Sequence, residues 1–106
     1  MGLEIRQEQG TAFVDVQDEM TIYTAALQWE QLQPLLAQVK AVDMNLSAVS
    51  EMDSAGIQLL LALKQASDRL HNRFVLTAPA PCVEDLLQLL RLRSVLMPAE
   101  EAETDG

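Results

Sequence analysis

Asn45-Leu46-Ser47-Ala48-Val49-Ser50-Glu51-Met52-Asp53-Ser54-Ala55-Gly56-Ile57 is the stretch around which the rest of the chain organises. Leading into it, Val42, Met44 and Leu46 alternate with Asp43, Asn45 and Ser47, the period-two pattern of a half-buried strand. Met52 to Gly56 ends that strand. From Ile57 to His71 the chain is rich in Leu and Ala, with Leu59, Leu63, Ala66 and Leu70 at helical spacing. The stretch therefore reads as a strand-to-helix junction. A helix N-terminus offers unpaired N–H groups and a partial positive charge, so whatever stands there is placed to meet an anion.

Working upstream, Thr24 to Lys40 sets Ala25, Trp29, Leu32, Leu36 and Val39 on one helical face. Thr24 is placed to cap that helix, and Pro34 is expected to kink or divide it near its middle. Earlier still, Leu3 and Ile5 alternate with Glu4 and Arg6 in an edge strand. After Gly10, Ala12 to Val16 pairs back on it as a hairpin. Downstream, Arg73 to Thr77 is a short strand and Ala78 to Pro81 a loop whose last proline suits a first helical turn. Val83, Leu86, Leu87 and Leu90 then make the cleanest helical stripe, and Val95 to Met97 reads as a last short strand. The order β-β-α-β-α-β-α-β implies an α/β sandwich, a mixed sheet of about four to five strands covered by three or more helices. One domain fills residues 1–97; the acidic, apolar-poor segment 98–106 is expected to be a frayed tail.

Composition narrows the function. The 106 residues suit one core, and a hydrophobic fraction of 49% marks a globular chain. The formal charge of −9, from 16 acidic and 7 basic residues, makes nucleic acid and anionic membrane poor partners and a basic protein surface a better one. No apolar run approaches the ~20 residues of a membrane span. The opening MGLEIRQEQG lacks the layout of a secretory signal, and Arg6 breaks a myristoylation motif. A single cysteine, Cys82, suits a reducing compartment, so a cytoplasmic location is expected.

Catalytic and cofactor readings fail on the residues. One Cys and one His assemble no metal site of the usual kind, and four scattered glycines make no phosphate loop. His71, near a helix end, reads as solvated or as a cap, and Cys82 lacks a convincing base. Trp29 and Phe74 read as core. No enzyme activity and no cofactor are expected. What stands out is Asp53-Ser54-Ala55-Gly56. The Ser54 hydroxyl can cap the resting helix, and its phosphate could take over the same donors while presenting nearly two negative charges. Gly56 would leave room for a close partner or the phosphate. The plain alternative is that Asp and Ser stand here only as helix caps.

Here the residues resemble a known family. Asn45 to Ile57 resembles the signature of STAS domains, a strand followed by D-S/T-x-G and a helix, shared by anti-anti-sigma factors and the cytoplasmic domains of sulfate transporters. Asp18-Glu19-Met20-Thr21-Ile22-Tyr23-Thr24-Ala25-Ala26 resembles the family's first strand-to-helix segment. Its Thr-Ile-Tyr-Thr-Ala form is similar to stand-alone bacterial STAS proteins found with chemotaxis and signalling genes. Val83 to Leu96 resembles the last helix and strand, so the resemblance covers roughly residues 3 to 97. The chain departs from the pattern at Asp18, where Gly is usual, at Thr21, where Asp is frequent, at Arg91, where Gly is frequent, and at Glu51, an added charge before the site.

The resemblance implies an anti-sigma factor antagonist in which Ser54 is phosphorylated by a serine kinase that is also the anti-sigma-type partner. The unphosphorylated form binds that partner, phosphorylation breaks the complex, and a phosphatase resets it. Partner contact is then expected at Asp53, Ser54, Ala55, Gly56 and Gln58, with Thr21 and Tyr23 from the earlier segment. Ser47 and Ser50 are weaker phosphorylation candidates. A second implied role is a constitutive subunit docked on the ATPase of a bacterial lipid-transport ABC complex. No nucleic acid and no membrane insertion are expected, and a homodimer is compatible with the chain.

Overall fold

The computed structural model describes residues 2–98. Its sheet begins with β1 (Leu3–Glu8) and β2 (Thr11–Val16), an antiparallel hairpin. Gln9 and Gly10 both take positive φ, +52° and +85°, as a two-residue turn matched to strand twist requires. β3 (Ala41–Asn45) and β4 (Arg73–Thr77) add in parallel, giving the order β1-β2-β3-β4. Helices α1 (Ala25–Leu36) and α2 (Ser54–Arg69) are the crossovers, and α3 (Pro81–Leu89) and α4 (Arg93–Leu96) follow β4.

Register explains the single core. Ala12, Val14 and Val16, with Val42, Met44 and Leu76, are buried and join one cluster with the inner faces of all four helices. Side chains of the opposite parity, among them Thr11, Phe13, Ala41, Asp43 and Val75, stay outside that cluster. Among the described residues the molecule therefore has two layers, with helices on one face of the sheet only. Trp29 and Phe74 pack against the core, as their apolar settings imply.

Two expectations are corrected. Val95 to Met97 is no strand: after Arg91 the chain turns, and one helical turn brings half-buried Leu92 and buried Leu96 onto the core together while Val95 faces solvent. Nor does Pro34 divide α1. The helix stops at Leu36 rather than Lys40, so the proline sits in its last turn, where little helix remains to break. α2 and α3 both end in reversals with left-handed residues, His71 (φ +60°) and Arg91 (φ +59°). Asn72 N–H donates to Ser67 O and Leu92 N–H to Leu87 O, closing each end. That geometry accounts for glycine being favoured at position 91. It also leaves His71 solvent-exposed at the C-terminus of α2. The frayed tail expected from residue 98 onward lies, beyond Pro98, outside the described residues.

Candidate functional site

Two loops meet at the carboxyl ends of the parallel strands. Met20 and Met52 form an isolated parallel bridge, with Met20 N–H on Glu51 O at 2.8 Å and Asp53 N–H on Met20 O at 3.3 Å. This lays the segment before α1 directly beside the segment that starts α2.

Asp53 locks the junction. Its Oδ1 accepts from Ala55 N–H at 2.9 Å and Gly56 N–H at 3.2 Å, capping α2. Its Oδ2 accepts from Ile22 N–H at 3.0 Å, across the loops. The Ile22 N–H foremost holds this carboxyl below the usual carboxylate range; burial opposes it, and the N–H groups of Gly56 and Ala55 add to the lowering. Gly56 is buried, and a Cβ there would lie 2.2 Å from Met20 O. The glycine is thus required by the bridging strand of the chain itself, not by room for a partner.

Ser54 is the first residue of α2 and exposed, so the capping role expected of it belongs to Asp53. A phosphate there would also find the Ala55 and Gly56 donors already engaged. Ala55 is half-buried and Gln58 exposed one turn on. Thr21 turns inward, only 4% exposed: its hydroxyl donates to Glu19 and accepts from Tyr23 N–H. Thr24 leaves the helix start uncapped by its side chain and instead donates from Oγ1 to Glu19 O while accepting from Thr21 N–H. With buried Gln28, which also donates to Glu19 O, these residues tie the loop to the start of α1. Tyr23, by contrast, is 89% exposed.

Sequence reasoning passed over Ile22, which is 70% exposed beside Tyr23. The signal was an aliphatic side chain between Thr21 and Tyr23 in a connection of mostly polar residues. It also passed over an open, largely apolar groove of about 270 Å³ between α1 and α2, lined by Ala25, Ala26, Trp29, Ala55, Gln58 and Ala62. Small residues on both helices leave that trough open. The segments that build this end carry Asp18, Glu19, Glu51 and Asp53, while no Lys or Arg occurs between Arg6 and Lys40 or between Lys40 and Lys64. Ser47 and Ser50 lie exposed in the loop before the junction. Cys82, half-buried in the first turn of α3, points its thiol at Val49 O, at the other end of β4 from His71. Among the described residues no cluster of three or more His, Cys, Asp or Glu could hold a metal ion, and no helix is long and apolar enough to cross a membrane.

The family model described as Mlab, STAS domain, matches residues 3–98. Among solved structures, an anti-sigma factor antagonist from Mycobacterium paratuberculosis superposes with a TM-score of 0.80 at 23% identity, covering 97% of this chain and 93% of that one. The anti-sigma factor antagonist SpoIIAA in its unphosphorylated form gives 0.76 at 19% identity, covering 91% and 85%. The phosphorylated form of the Bacillus cell-fate determinant SpoIIAA gives 0.66 at 19% identity, covering 91% and 88%. At these identities the structures establish a common fold.

Proposed function

The chain belongs to the STAS family, and we propose that it is a phosphorylation-controlled protein-binding switch resembling an anti-sigma factor antagonist, with Ser54 as the modified residue. One observation carries this reading: Ser54 begins α2 exposed and relieved of capping by Asp53, at the mouth of an apolar surface made by Ile22, Tyr23 and the α1–α2 groove. A serine kept for capping alone would not be freed from the task by its neighbour.

In the unphosphorylated form, a kinase of the anti-sigma type seats on that surface with the Ser54 hydroxyl at its centre. Phosphorylation adds ~1.5–2 negative charges at one point. The segments around it carry carboxylates and no Lys or Arg, and the first-turn donors are held by Asp53. The phosphate keeps its water, and closing an apolar contact over it costs roughly several kcal/mol, on the order of 100-fold or more in affinity. A phosphatase restores the binding form. Asp53, Ala55, Gln58 and Tyr23 frame the contact. Thr21 and Gly56 shape it from within.

The test is a pull-down from native lysate with wild type, Ser54→Ala and Ser54→Asp, read by mass spectrometry for partners and phosphosites. The switch requires phosphate on Ser54 and a kinase-like partner kept by the Ala variant but lost by Asp. A second reading draws on the Mlab description of the matching family model: a constitutive subunit on the ATPase of a lipid-transport ABC complex, using the same surface. It requires all three forms to retain one ATPase and Ser54 never to be modified.

A further inference from the structure

The helix-free face of the sheet plays no part in the Ser54 site. It carries Glu4, Arg6 and Glu8 on β1, Thr11, Phe13 and Asp15 on β2, Ala41, Asp43 and Asn45 on β3, and Arg73, Val75 and Thr77 on β4, as the register dictates. Phe13 stands on it as a ridge with the Arg6 guanidinium 4.7 Å from its ring centroid. A hollow of about 210 Å³ lies on one side of Phe13, toward Ala41 and Val75, and one of about 170 Å³ on the other, toward Arg6 and Asp15. A knob beside its own hole is what a two-fold interface needs, because one patch must complement itself.

We propose that a second copy of this chain docks on this face, through a two-fold axis parallel to the strands and midway between β2 and β3. β1 then lies over β4 of the second copy, and β2 over its β3. From the register, Glu8 faces Arg73, Asp15 faces Asn45, Glu4 faces Thr77 and Thr11 faces Ala41. Phe13 comes over Asp43 and Arg6 over Val75, which leaves Arg6 diagonal to Asp43. No carboxylate meets a carboxylate, although the face holds four of them. At the rim each Glu8, which accepts from Arg6 Nε of its own chain at 2.9 Å, also meets Arg73 of the second copy. A misaligned partner would not be offered that pattern. Four strands at ~4.8 Å spacing and five residues at ~3.3 Å give a footprint of roughly 300 Å². This is well below the ~800 Å² per side of a stable interface, so the dimer is weak and transient.

Sedimentation equilibrium of the full chain, from low micromolar to near-millimolar, tests this. Wild type should show reversible monomer–dimer exchange, Phe13→Asp should remain monomeric, and circular dichroism should show the variant folded. Should Phe13→Asp not fold, the charge swap decides alone. Glu8→Arg and Arg73→Glu should each weaken the dimer at least about fivefold, and the double variant should restore it. Ser54→Asp should leave the dimer unchanged, so the proposal stands or falls apart from the switch. A wild type that stays monomeric, a dimer that survives Phe13→Asp, singles without effect, or a double swap that fails to restore would each overturn it.

Discussion

Asp53 reaches 31 residues back along the chain to accept a hydrogen bond from the backbone of Ile22 at 3.0 Å, while its other oxygen caps α2. One carboxylate therefore sets both the start of the helix that bears Ser54 and the position of the exposed Ile22-Tyr23 pair. Asp53→Ala should lower Tm by several degrees, as loss of an N-cap does in a domain of this size. It should also speed amide exchange selectively at Ile22, Ala55 and Gly56. Unchanged exchange at Ile22 would show that the Met20–Met52 bridge alone fixes the loop.

The same bonds give this carboxylate a lowered pKa, and the sign of its pH effect follows. A group whose pKa is depressed in the folded state stabilises that state fully above its unfolded value, near ~3.9, and ceases to do so as pH falls through the lower folded value. Urea unfolding of wild type and Asp53→Asn should differ at neutral pH, and the gap should narrow only below about pH 4. Subtracting the variant removes the titration of the other carboxylates. A gap constant down to pH 2 would contradict the assignment.

Gly56 has no space for a side chain, since a Cβ would strike the Met20 carbonyl at 2.2 Å. Gly56→Ala must push back the backbone of the Met20 loop, and should destabilise by about 1–3 kcal/mol. Ordinarily Gly→Ala inside a helix is favourable by ~0.5–1 kcal/mol, so the sign alone is diagnostic. Chemical-shift changes should centre on Met20 to Tyr23. A stabilised variant would mean that the two loops lie farther apart.

Period-two and period-3.6 patterns located β2 to β4 and α1 to α3 because each of those elements buries one face against a single core, while β1, exposed beyond Leu3, was located by its alternation and its hairpin pairing with β2. They misassigned Val95 to Met97, where three residues are too few to distinguish a strand from a helical turn and contact of Leu92 and Leu96 with the core decides. At the site, the strand-to-helix junction and the place of Asp53-Ser54-Ala55-Gly56 at its helix start were legible from local spacing. The division of labour was not. Either Asp53 or Ser54 can cap a helix, and only the Ile22 N–H, distant in sequence, draws Asp53 into the role. Gly56 was legible as special but not why, since its constraint comes from Met20, another distant residue.

That division of labour makes the last prediction sharp. If Ser54 were the cap of α2, Ser54→Ala would cost about 1 kcal/mol. With Asp53 holding the Ala55 and Gly56 donors and Ser54 exposed, Ser54→Ala should change stability by less than about 0.5 kcal/mol, as should Tyr23→Ser on the same surface. The two should part company in binding. Tyr23→Ser should weaken capture of the partner without touching phosphorylation sites, whereas Ser54→Ala should keep the partner and remove the phosphate. Chemical denaturation of the pair, followed by the same pull-down, checks both halves. A loss of about 1 kcal/mol in Ser54→Ala would return the serine to a structural role and take the switch with it.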